Sequence, residues 1–286
     1  MASSIDKQTQ ALYWGKTAQV YVANAHEGPG IMMPLISAYV ETAKTTLKGG
    51  SPKILDIASG TGEPGFSLAK AYPEGHVFIT DFAEGMIAGA KERADKHAVR
   101  NASFAVADAE DLKQFEISSF DILTCNSALM AMPNYDRALL EFHRVLKPDG
   151  LLMIGVWGSP QQTQMINLMQ DVRAAVAPND SFFADPSSLC GHDKVLHALQ
   201  QAGFSHISIR EINVPMRLPV ERLHAGMLQS AVFVELLDRL AARGDTGAAE
   251  RAHTAALDIA REKGFLQEDG WVNLPTNLAL FVTARP

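Results

Sequence analysis

The chain has 286 residues, of which 47% are hydrophobic and 20% charged, as in an ordinary globular protein. Its net charge of −7, with scattered Lys and Arg, argues against binding to a nucleic-acid backbone. It has no signal-like N-terminus and no apolar window near the roughly 18 residues that a spanning helix needs. Its two cysteines, Cys125 and Cys190, form no metal-binding motif. We expect one cytoplasmic domain, 1–286, with a small-molecule ligand and without metal, membrane or nucleic acid; its oligomeric state stays open.

Short β-rich runs alternate with helical patterns in the first half of the chain, which is typical of βα units in a parallel sheet. The predicted strands are 53–57, 76–80, 103–107, 120–124 and 150–156. The predicted helices between them are 64–71, 84–97 and 134–146, with a short turn near Asp111. A helix over 192–202 and two more strands, 203–210 and 277–284, complete the predicted α/β core.

Three helical segments flank this core, namely 1–50, 161–190 and 219–270. The second contains an amphipathic helix over 161–177, and the third has a helical pattern over 219–264. Each segment precedes or follows the carboxyl end of a strand, where ligands bind in open α/β sheets. We therefore expect the three segments to form a helical cap over the ligand-binding core, 51–160.

Residues 54–65 read ILDIASGTGEPG, a strand that runs into G-x-G-x-x-G. Alone, this motif suggests NAD, because glycines let the backbone approach a ligand and a helix start offers N–H groups to a pyrophosphate. Asp56, four residues before Gly60, changes the interpretation. A carboxylate there suits the ammonium and sulfonium groups of S-adenosylmethionine (SAM) better than a pyrophosphate. We expect Asp56 to face the ligand and Gly65 to be an ordinary residue of the first helical turn.

Polar residues also follow the next three predicted strands. Asp81 could accept both ribose hydroxyls of an adenosine. Asp108 could accept from the adenine amine, beside the backbone N–H of Ala109, and Asn126 follows the fourth strand near the reacting group. A single aspartate at a strand end is more often a turn former or helix cap. Their joint placement at successive strand ends indicates a site for an adenosine-containing cofactor.

These segments resemble class I SAM-dependent methyltransferases, especially the type 11 and ubiquinone/menaquinone methyltransferase-like group. The resemblance rests on ILDIASGTG at 54–62, TDFAEGM at 80–86, ADAEDL at 107–112, FDIL at 120–123 and RVLKPDGLL at 144–152. It implies a Rossmann-like, seven-stranded sheet whose last strand is antiparallel. Ala58 departs from the family pattern by replacing the first glycine of the loop, and NSAL at 126–129 is not the N/D-P-P-Y motif of nucleic-acid methyltransferases.

The resemblance also implies SAM as the methyl donor and S-adenosylhomocysteine as the product. It assigns the loop after the first strand to the methionine part, Asp81 and Phe82 to ribose and adenine, and Met86 to the edge of the adenine ring. Tyr21 would close over the cofactor. The full set of cofactor-binding candidates is Tyr21, Asp56, Ala58, Ser59, Gly60, Gly62, Asp81, Phe82, Met86, Asp108, Ala109 and Asn126.

Methyl transfer is an in-line displacement, for which alignment and desolvation matter most and a general base is optional. Histidine is the usual base near neutral pH, so His26 and His224 in the cap segments are the catalytic candidates, although both also fit solvated positions. Aromatic and methionine side chains could hold a flat or cationic acceptor, and core packing explains them equally well. The substrate-binding candidates are Trp14, Met130, Trp157 and Phe183.

The main hypothesis is a SAM-dependent methyltransferase that acts on a small apolar or aromatic metabolite at an O, N, S or C atom. Two alternatives stay open. The first is a SAM-binding protein that does not methylate, either a cyclase or isomerase or a partner of an active enzyme. The second is an NAD-dependent oxidoreductase, which predicts nicotinamide binding without affinity for SAM.

Overall fold

The structure is a computed structural model that describes residues 5–24, 30–47 and 50–286. Its strands are β1 (Lys53–Ile57), β2 (His76–Asp81), β3 (Ala102–Val106), β4 (Phe120–Asn126), β5 (Leu146–Trp157), β6 (Ser205–Asn213), β7 (Met216–Pro219), β8 (Trp271–Leu274) and β9 (Leu278–Arg285). Seven of them form one sheet in the order β3-β2-β1-β4-β5-β9-β6. Strands β1 to β5 are parallel, and β9 is antiparallel to both of its neighbours. The Rossmann-like, seven-stranded sheet predicted from the sequence is confirmed.

The register of the central strands brings their carboxyl ends together. In β1, Asp56 lies opposite Thr124 of β4, and Ile57 lies opposite Thr80 of β2. After its first residue β1 is fully buried, as expected for a strand covered by helices on both faces. The segments that follow β1, β2 and β4 therefore meet at one edge of the sheet, where the polar candidates lie.

The helices are α1 (Lys7–Asn24), α2 (Met33–Thr46), α3 (Gly65–Ala71), α4 (Glu84–Lys96), α5 (Tyr135–Val145), α6 (Gln164–Val176), α7 (His192–Gln201), α8 (Val220–Leu228), α9 (Ala231–Ala242) and α10 (Ala248–Glu262). Local sequence explains several of their boundaries. At the start of α5, for example, the Asn134 side chain accepts a hydrogen bond from the Arg137 N–H at 3.0 Å. Within the described ranges no helix combines the length and the apolar character needed to cross a membrane.

Helix α2 packs against the sheet, which corrects the prediction that all of 1–50 belongs to the cap. Leu35, Tyr39 and Ala43, spaced four residues apart, are completely buried. The Tyr39 ring meets Phe281 of β9 edge to face, with ring centres 4.9 Å apart. A helix that buries such a stripe against a strand is part of the core. Of the two long helices described within 1–50, it is therefore α1 that can cover the strand ends.

The helical segment 219–270 is flanked by a two-stranded β-ribbon that the sequence did not predict. Strands β7 and β8 pair antiparallel, with Met216 opposite Leu274 and Pro219 opposite Trp271. Four-residue strands are too short to show a clear period-2 pattern, so no local signal marked either of them. The ribbon brackets α8, α9 and α10, and α10 packs on α6 through buried alanines such as Ala252 and Ala256.

Candidate cofactor and active site

The loop after β1 bends sharply and is built around small residues. Ala58, Gly60 and Gly62 have φ angles of 51°, 55° and 115°. A Cβ on Gly62 would lie 2.3 Å from the Phe66 ring, so only glycine fits there. Ala58 occupies the left-handed region that glycine would adopt without strain, at a cost of about 1 kcal/mol. The strained backbone lies where the sequence predicted contact with the cofactor.

Asp56 fixes the position of this loop through two hydrogen bonds. Its Oδ1 accepts a hydrogen bond from the Thr124 hydroxyl at 2.6 Å, and its Oδ2 accepts one from the Gly65 N–H at 2.8 Å. The residue is completely buried, and burial raises the pKa of its carboxyl group to about 7. Protein donors engage both oxygens, so Asp56 joins the loop to β4 and α3. Its predicted contact with the ligand stays a prediction.

Gly65 is a required glycine, which corrects the prediction that it is an ordinary helix residue. A Cβ at this position would lie 2.2 Å from the Ile79 Cδ1 and 2.7 Å from the Asp56 Oδ2. Its N–H is one of the two donors to Asp56. Gly65 therefore serves the close approach of α3 to the sheet, the packing role that the last glycine of a G-x-G-x-x-G pattern has in dinucleotide-binding folds.

Asp81 lies at the end of β2 and connects to the same loop. Its Oδ2 accepts from the Gly60 N–H at 3.0 Å and its Oδ1 from the Ala83 N–H at 2.9 Å. Burial raises the pKa of Asp81 to about 6. Each carboxylate oxygen has two acceptor positions, so one on each oxygen stays available for a ribose hydroxyl.

Tyr21 lies near Asp81 at the far end of α1. Burial of its hydroxyl and the charge of Asp81 raise the pKa of Tyr21 to about 12, although 37% of the residue's surface is exposed. The hydroxyl therefore stays protonated at neutral pH and can donate a hydrogen bond. Tyr21 therefore lies close enough to Asp81 for the charge of that carboxylate to act on its hydroxyl, and its role in closing over the cofactor stays a prediction.

Helix α1 packs directly on the segment after β2. A buried cluster joins Ala18 of α1 to Ala83 and Met86, and Trp14 and Phe82 pack against it. At the helix crossing, a Cβ on Gly85 would lie 2.6 Å from the Gly15 carbonyl oxygen, so the two backbones touch. Phe82 and Met86, the candidates for the adenine ring, are thus covered by α1.

Asp108 and Ala109 follow β3 at the other end of α1. The Asp108 Oδ1 accepts from the Glu110 N–H at 2.9 Å, and its Oδ2 accepts from the Lys7 ammonium at 2.7 Å. The same ammonium lies 2.6 Å from the Glu110 Oε2. Ala109 is 7% exposed. The sequence did not point to Lys7, which carries no motif.

Asn126 ends β4, where the resemblance places the reacting group. Its Oδ1 lies 3.4 Å from the Tyr39 hydroxyl, and a Cβ on Gly155 of β5 would lie 2.5 Å from that oxygen. Burial raises the pKa of Tyr39 well above its usual value, so its hydroxyl stays protonated and can donate to the Asn126 Oδ1. The sequence did not identify Tyr39 as a site residue. The available signal was its position on the apolar stripe of α2.

Of the four substrate-binding candidates, the structure brings two together. Trp14 meets Phe183 edge to face with ring centres 6.4 Å apart, and Trp14 also lies 6.4 Å from the Tyr21 ring. Met130, in contrast, is 4% exposed and packs in a core cluster that contains neither Trp14 nor Phe183, because the short turn after β4 points it into the core. Trp157 is partly buried against the two main core clusters.

The two catalytic candidates differ in what the structure says of them. His26 lies outside the described residues. His224 lies in α8, of which only the backbone is described at this position. Both remain predictions from the sequence.

A family model described as a methyltransferase domain matches residues 49–203, more than half of the chain. The chain belongs to this methyltransferase family. The match covers β1 to β5 with their connections, which are the segments that carry the acidic strand ends and the glycine loop. The predicted membership in the class I SAM-dependent methyltransferases is confirmed, and SAM is the cofactor of that class.

Curated relatives point to the ubiquinone/menaquinone group. The C-methyltransferase UbiE of ubiquinone/menaquinone biosynthesis from Rhizobium etli is 38% identical over 104 residues, which are 36% of this chain and 40% of that protein. The UbiE of Bartonella tribocorum is 29% identical over 61% of this chain and 70% of its own length. A demethylmenaquinone methyltransferase from Leptospira interrogans is 35% identical over 36% of this chain and 42% of its length. The chain thus spans less than half the length of two of these relatives.

Solved structures share the fold across most of the chain. The YcgJ protein from Bacillus subtilis superimposes with a TM-score of 0.59 at 19% identity, covering 87% of this chain and 97% of that one. The [4+2]-cyclase SpnF superimposes with a TM-score of 0.52 at 20% identity, covering 87% and 80%. At these identities the likeness shows the fold alone.

The residues of the site fit the cofactor of the family. The Ser59 hydroxyl is buried in the loop and has no hydrogen-bond partner within the described part of the chain. Buried polar groups normally have one, so this hydroxyl fits a ligand atom. The small residues of the loop leave its backbone open to contact with a ligand. The two open acceptor positions on Asp81 can accept from the two ribose hydroxyls.

Proposed function

We propose that this chain transfers the methyl group of SAM to a small quinone-type acceptor, a ring in its reduced, hydroxylated form. The observation that carries the proposal is the hydrogen bond between the glycine loop and Asp81. The Asp81 carboxylate accepts from the Gly60 N–H and still has acceptor positions for the ribose hydroxyls. The acceptor class comes from the curated relatives, two of which are described as ubiquinone/menaquinone C-methyltransferases and one as a demethylmenaquinone methyltransferase.

When bound, the cofactor supplies a methyl group on a positively charged sulfur. The chain supplies alignment and exclusion of water. The loop from Ala58 to Gly62, with the Ser59 hydroxyl, would hold the methionine part, and Asp81 would hold the ribose with Tyr21 at its edge. Asp108 and Ala109 would hold the adenine beside Phe82 and Met86. Helix α1 excludes water from this end, which favours a displacement in which charge disperses.

The acceptor would lie beyond the sulfur, between the carboxyl end of β4 and the cap. Asn126 offers polar contact there. Trp14 and Phe183 offer two aromatic surfaces at right angles, with an interplanar angle of 82°. Such a pair suits the face and edge of a flat ring. A general base is optional for this reaction, and His224 and His26 keep that role as predictions.

The test is a methyl-transfer assay with SAM and a 1,4-naphthohydroquinone as acceptor. We expect S-adenosylhomocysteine to form together with a product about 14 Da heavier than the acceptor, the mass added by methylation. If SAM binds but is not consumed in the presence of this acceptor, the result would support the second candidate function, a cyclase or isomerase. The fold shared with the [4+2]-cyclase SpnF permits such a function.

The aromatic assignment has its own variants. Trp14→Ala should raise the KM for the acceptor by a larger factor than the KM for SAM, because the indole contacts Phe183 on the cap side and packs only at the margin of the cluster over Met86. Trp271→Ala is the matched control, since Trp271 packs against Arg217 on the ribbon. Equal effects of the two variants would contradict the assignment. The cytoplasmic location and the absence of a nucleic-acid partner remain predictions.

A further inference from the structure

Helix α1 closes over the groups that the cofactor is proposed to reach. Asp81 is 5% exposed, Ser59 6% and Met86 3%. Ala18 of α1 shares a buried cluster with Met86, and the backbones of α1 and α4 touch at Gly15 and Gly85. A molecule of the size of an adenosine therefore reaches these groups only when α1 moves aside.

One charged side chain fastens the first turn of α1 to the edge of the sheet. The Lys7 ammonium lies 2.7 Å from the Asp108 Oδ2 and 2.6 Å from the Glu110 Oε2, 101 and 103 residues further along the chain. Asp6 fixes the start of the helix, because its carboxylate accepts from the Thr9 N–H at 2.9 Å and from the Thr9 hydroxyl at 2.7 Å. Lys7 is thus presented by a capped helix end rather than by a free terminus.

The acidic partners of Lys7 are themselves held in place. The Glu110 side chain is only 7% exposed, and its Oε1 accepts from the Asn134 N–H at 2.9 Å. The Glu110 N–H donates to the Asp108 Oδ1. Two carboxylates are therefore fixed side by side, and one ammonium offsets the repulsion between them. Without the lysine, the negative charges of the two carboxylates would repel each other with no cation between them.

We propose that Lys7 is a positioning residue that fastens α1 over the cofactor site and thereby sets the rate of cofactor exchange. The proposal rests on the proposed function, since Asp108 is also the carboxylate assigned to the adenine amine. Lys7 and the adenine thus share one acceptor, and every entry or exit of the cofactor requires this ion pair to open. The Lys7 and Asp108 side chains are each 38% exposed, so dissolved salt screens the pair and speeds its opening.

A second lysine on α1 provides a matched control. Lys16 has the same charge and lies on the same helix, but its ammonium is 3.8 Å from the Asp238 Oδ2 and both side chains are about half exposed, at 48% and 52%. An exposed pair at this distance contributes little. Replacing Lys16 changes the charge of α1 as much as replacing Lys7 does, without touching the acidic pair at 108 and 110.

The experiment measures the rate at which S-adenosylhomocysteine dissociates, by stopped-flow displacement at about 20 mM and about 500 mM NaCl. At low salt, Lys7→Met should release the ligand about threefold to tenfold faster than the wild type, the range for one or two partly exposed ion pairs. The variant should also lose most of the salt dependence. Lys7→Arg should restore both properties, and Lys16→Met should behave like the wild type.

Hydrogen exchange of the unliganded protein gives a second readout. The amides of α1 should exchange faster in Lys7→Met than in the wild type, while those of α10, which packs on α6, stay unchanged. Wild-type rates and salt dependence in Lys7→Met, or equal acceleration in Lys16→Met, would overturn the proposal. A wild type that binds neither SAM nor S-adenosylhomocysteine would instead refute the proposed function. A purely structural role of Lys7 would lower the thermal midpoint and leave the salt dependence of release intact.

Discussion

The Asp56→Asn variant tests how the structure holds the glycine loop. An asparagine keeps the shape of the side chain and both hydrogen bonds, because its Oδ1 accepts from the Gly65 N–H and its Nδ2 donates to the Thr124 hydroxyl. What it removes is ionisation. We expect the variant to fold and to be more stable than the wild type at neutral pH.

The magnitude follows from the pKa of Asp56, which burial raises from 3.8 to about 7. At about 1.4 kcal/mol per pH unit, this difference corresponds to about 4 kcal/mol. Below pH 3.8 the carboxyl is protonated in both the folded and the unfolded chain, so it costs nothing. Between pH 3.8 and about 7 only the unfolded chain releases the proton, so the folded state loses stability relative to it, and above about pH 7 the full cost applies.

The assay is urea unfolding, followed by tryptophan fluorescence at several values between pH 5 and pH 8. The free energy of unfolding of Asp56→Asn, minus that of the wild type, should grow by about 2 kcal/mol from pH 5 to pH 7 and then level off. Asp258→Asn is the control, since this side chain is 56% exposed, and its difference should stay flat. A flat difference for Asp56→Asn as well would refute the buried, protein-bound carboxylate.

Three further outcomes follow from the same loop. Ala58→Gly should raise the free energy of unfolding by about 0.5 kcal/mol, since it relieves about 1 kcal/mol of left-handed strain and adds some entropy to the unfolded chain; a loss in urea unfolding would contradict this. Gly62→Ala should lower the free energy of unfolding by more than about 2 kcal/mol, because the new Cβ meets the Phe66 ring. Gly244, with a φ of 94°, has open space around it, so Gly244→Ala should lower this free energy by only about 1 kcal/mol. Equal losses in the two variants would show that the clash with Phe66 is relieved. SAM affinity measured by calorimetry should weaken as the pH falls through about 6, where Asp81 takes up a proton, and an affinity constant from pH 5 to pH 8 would count against its ribose role.

The central part of the fold follows from the sequence because β1, β2 and β4 each end where a buried apolar run meets a polar residue. Asp56, Asp81 and Asn126 mark the carboxyl ends of neighbouring strands, and parallel pairing brings such ends together. The ribbon of β7 and β8 could not be foreseen in the same way. Its strands have four residues each and are stabilised by each other, at a sequence separation of about fifty residues, rather than by a local pattern.

The sequence singled out residues of the candidate site but could not predict their contacts. Asp56 stood out as an unusual residue before a glycine loop, yet the sequence could not show that its two partners would be Thr124 and the Gly65 N–H. Lys7 and Tyr39 were missed because each meets its partners across at least 86 residues of chain. Contacts of this kind depend on how α1 and α2 fold back over the sheet, which composition and periodicity do not encode.

The most direct test of the account is isothermal titration calorimetry of the wild type and Asp81→Ala with SAM, with NAD as the competing ligand. We expect the wild type to bind SAM and not NAD, and Asp81→Ala to bind SAM about 100-fold more weakly, as the loss of two hydrogen bonds to a carboxylate implies. Binding of NAD without binding of SAM, or equal SAM affinity in the two proteins, would contradict the assignment of the strand-end carboxylate and the glycine loop to this cofactor.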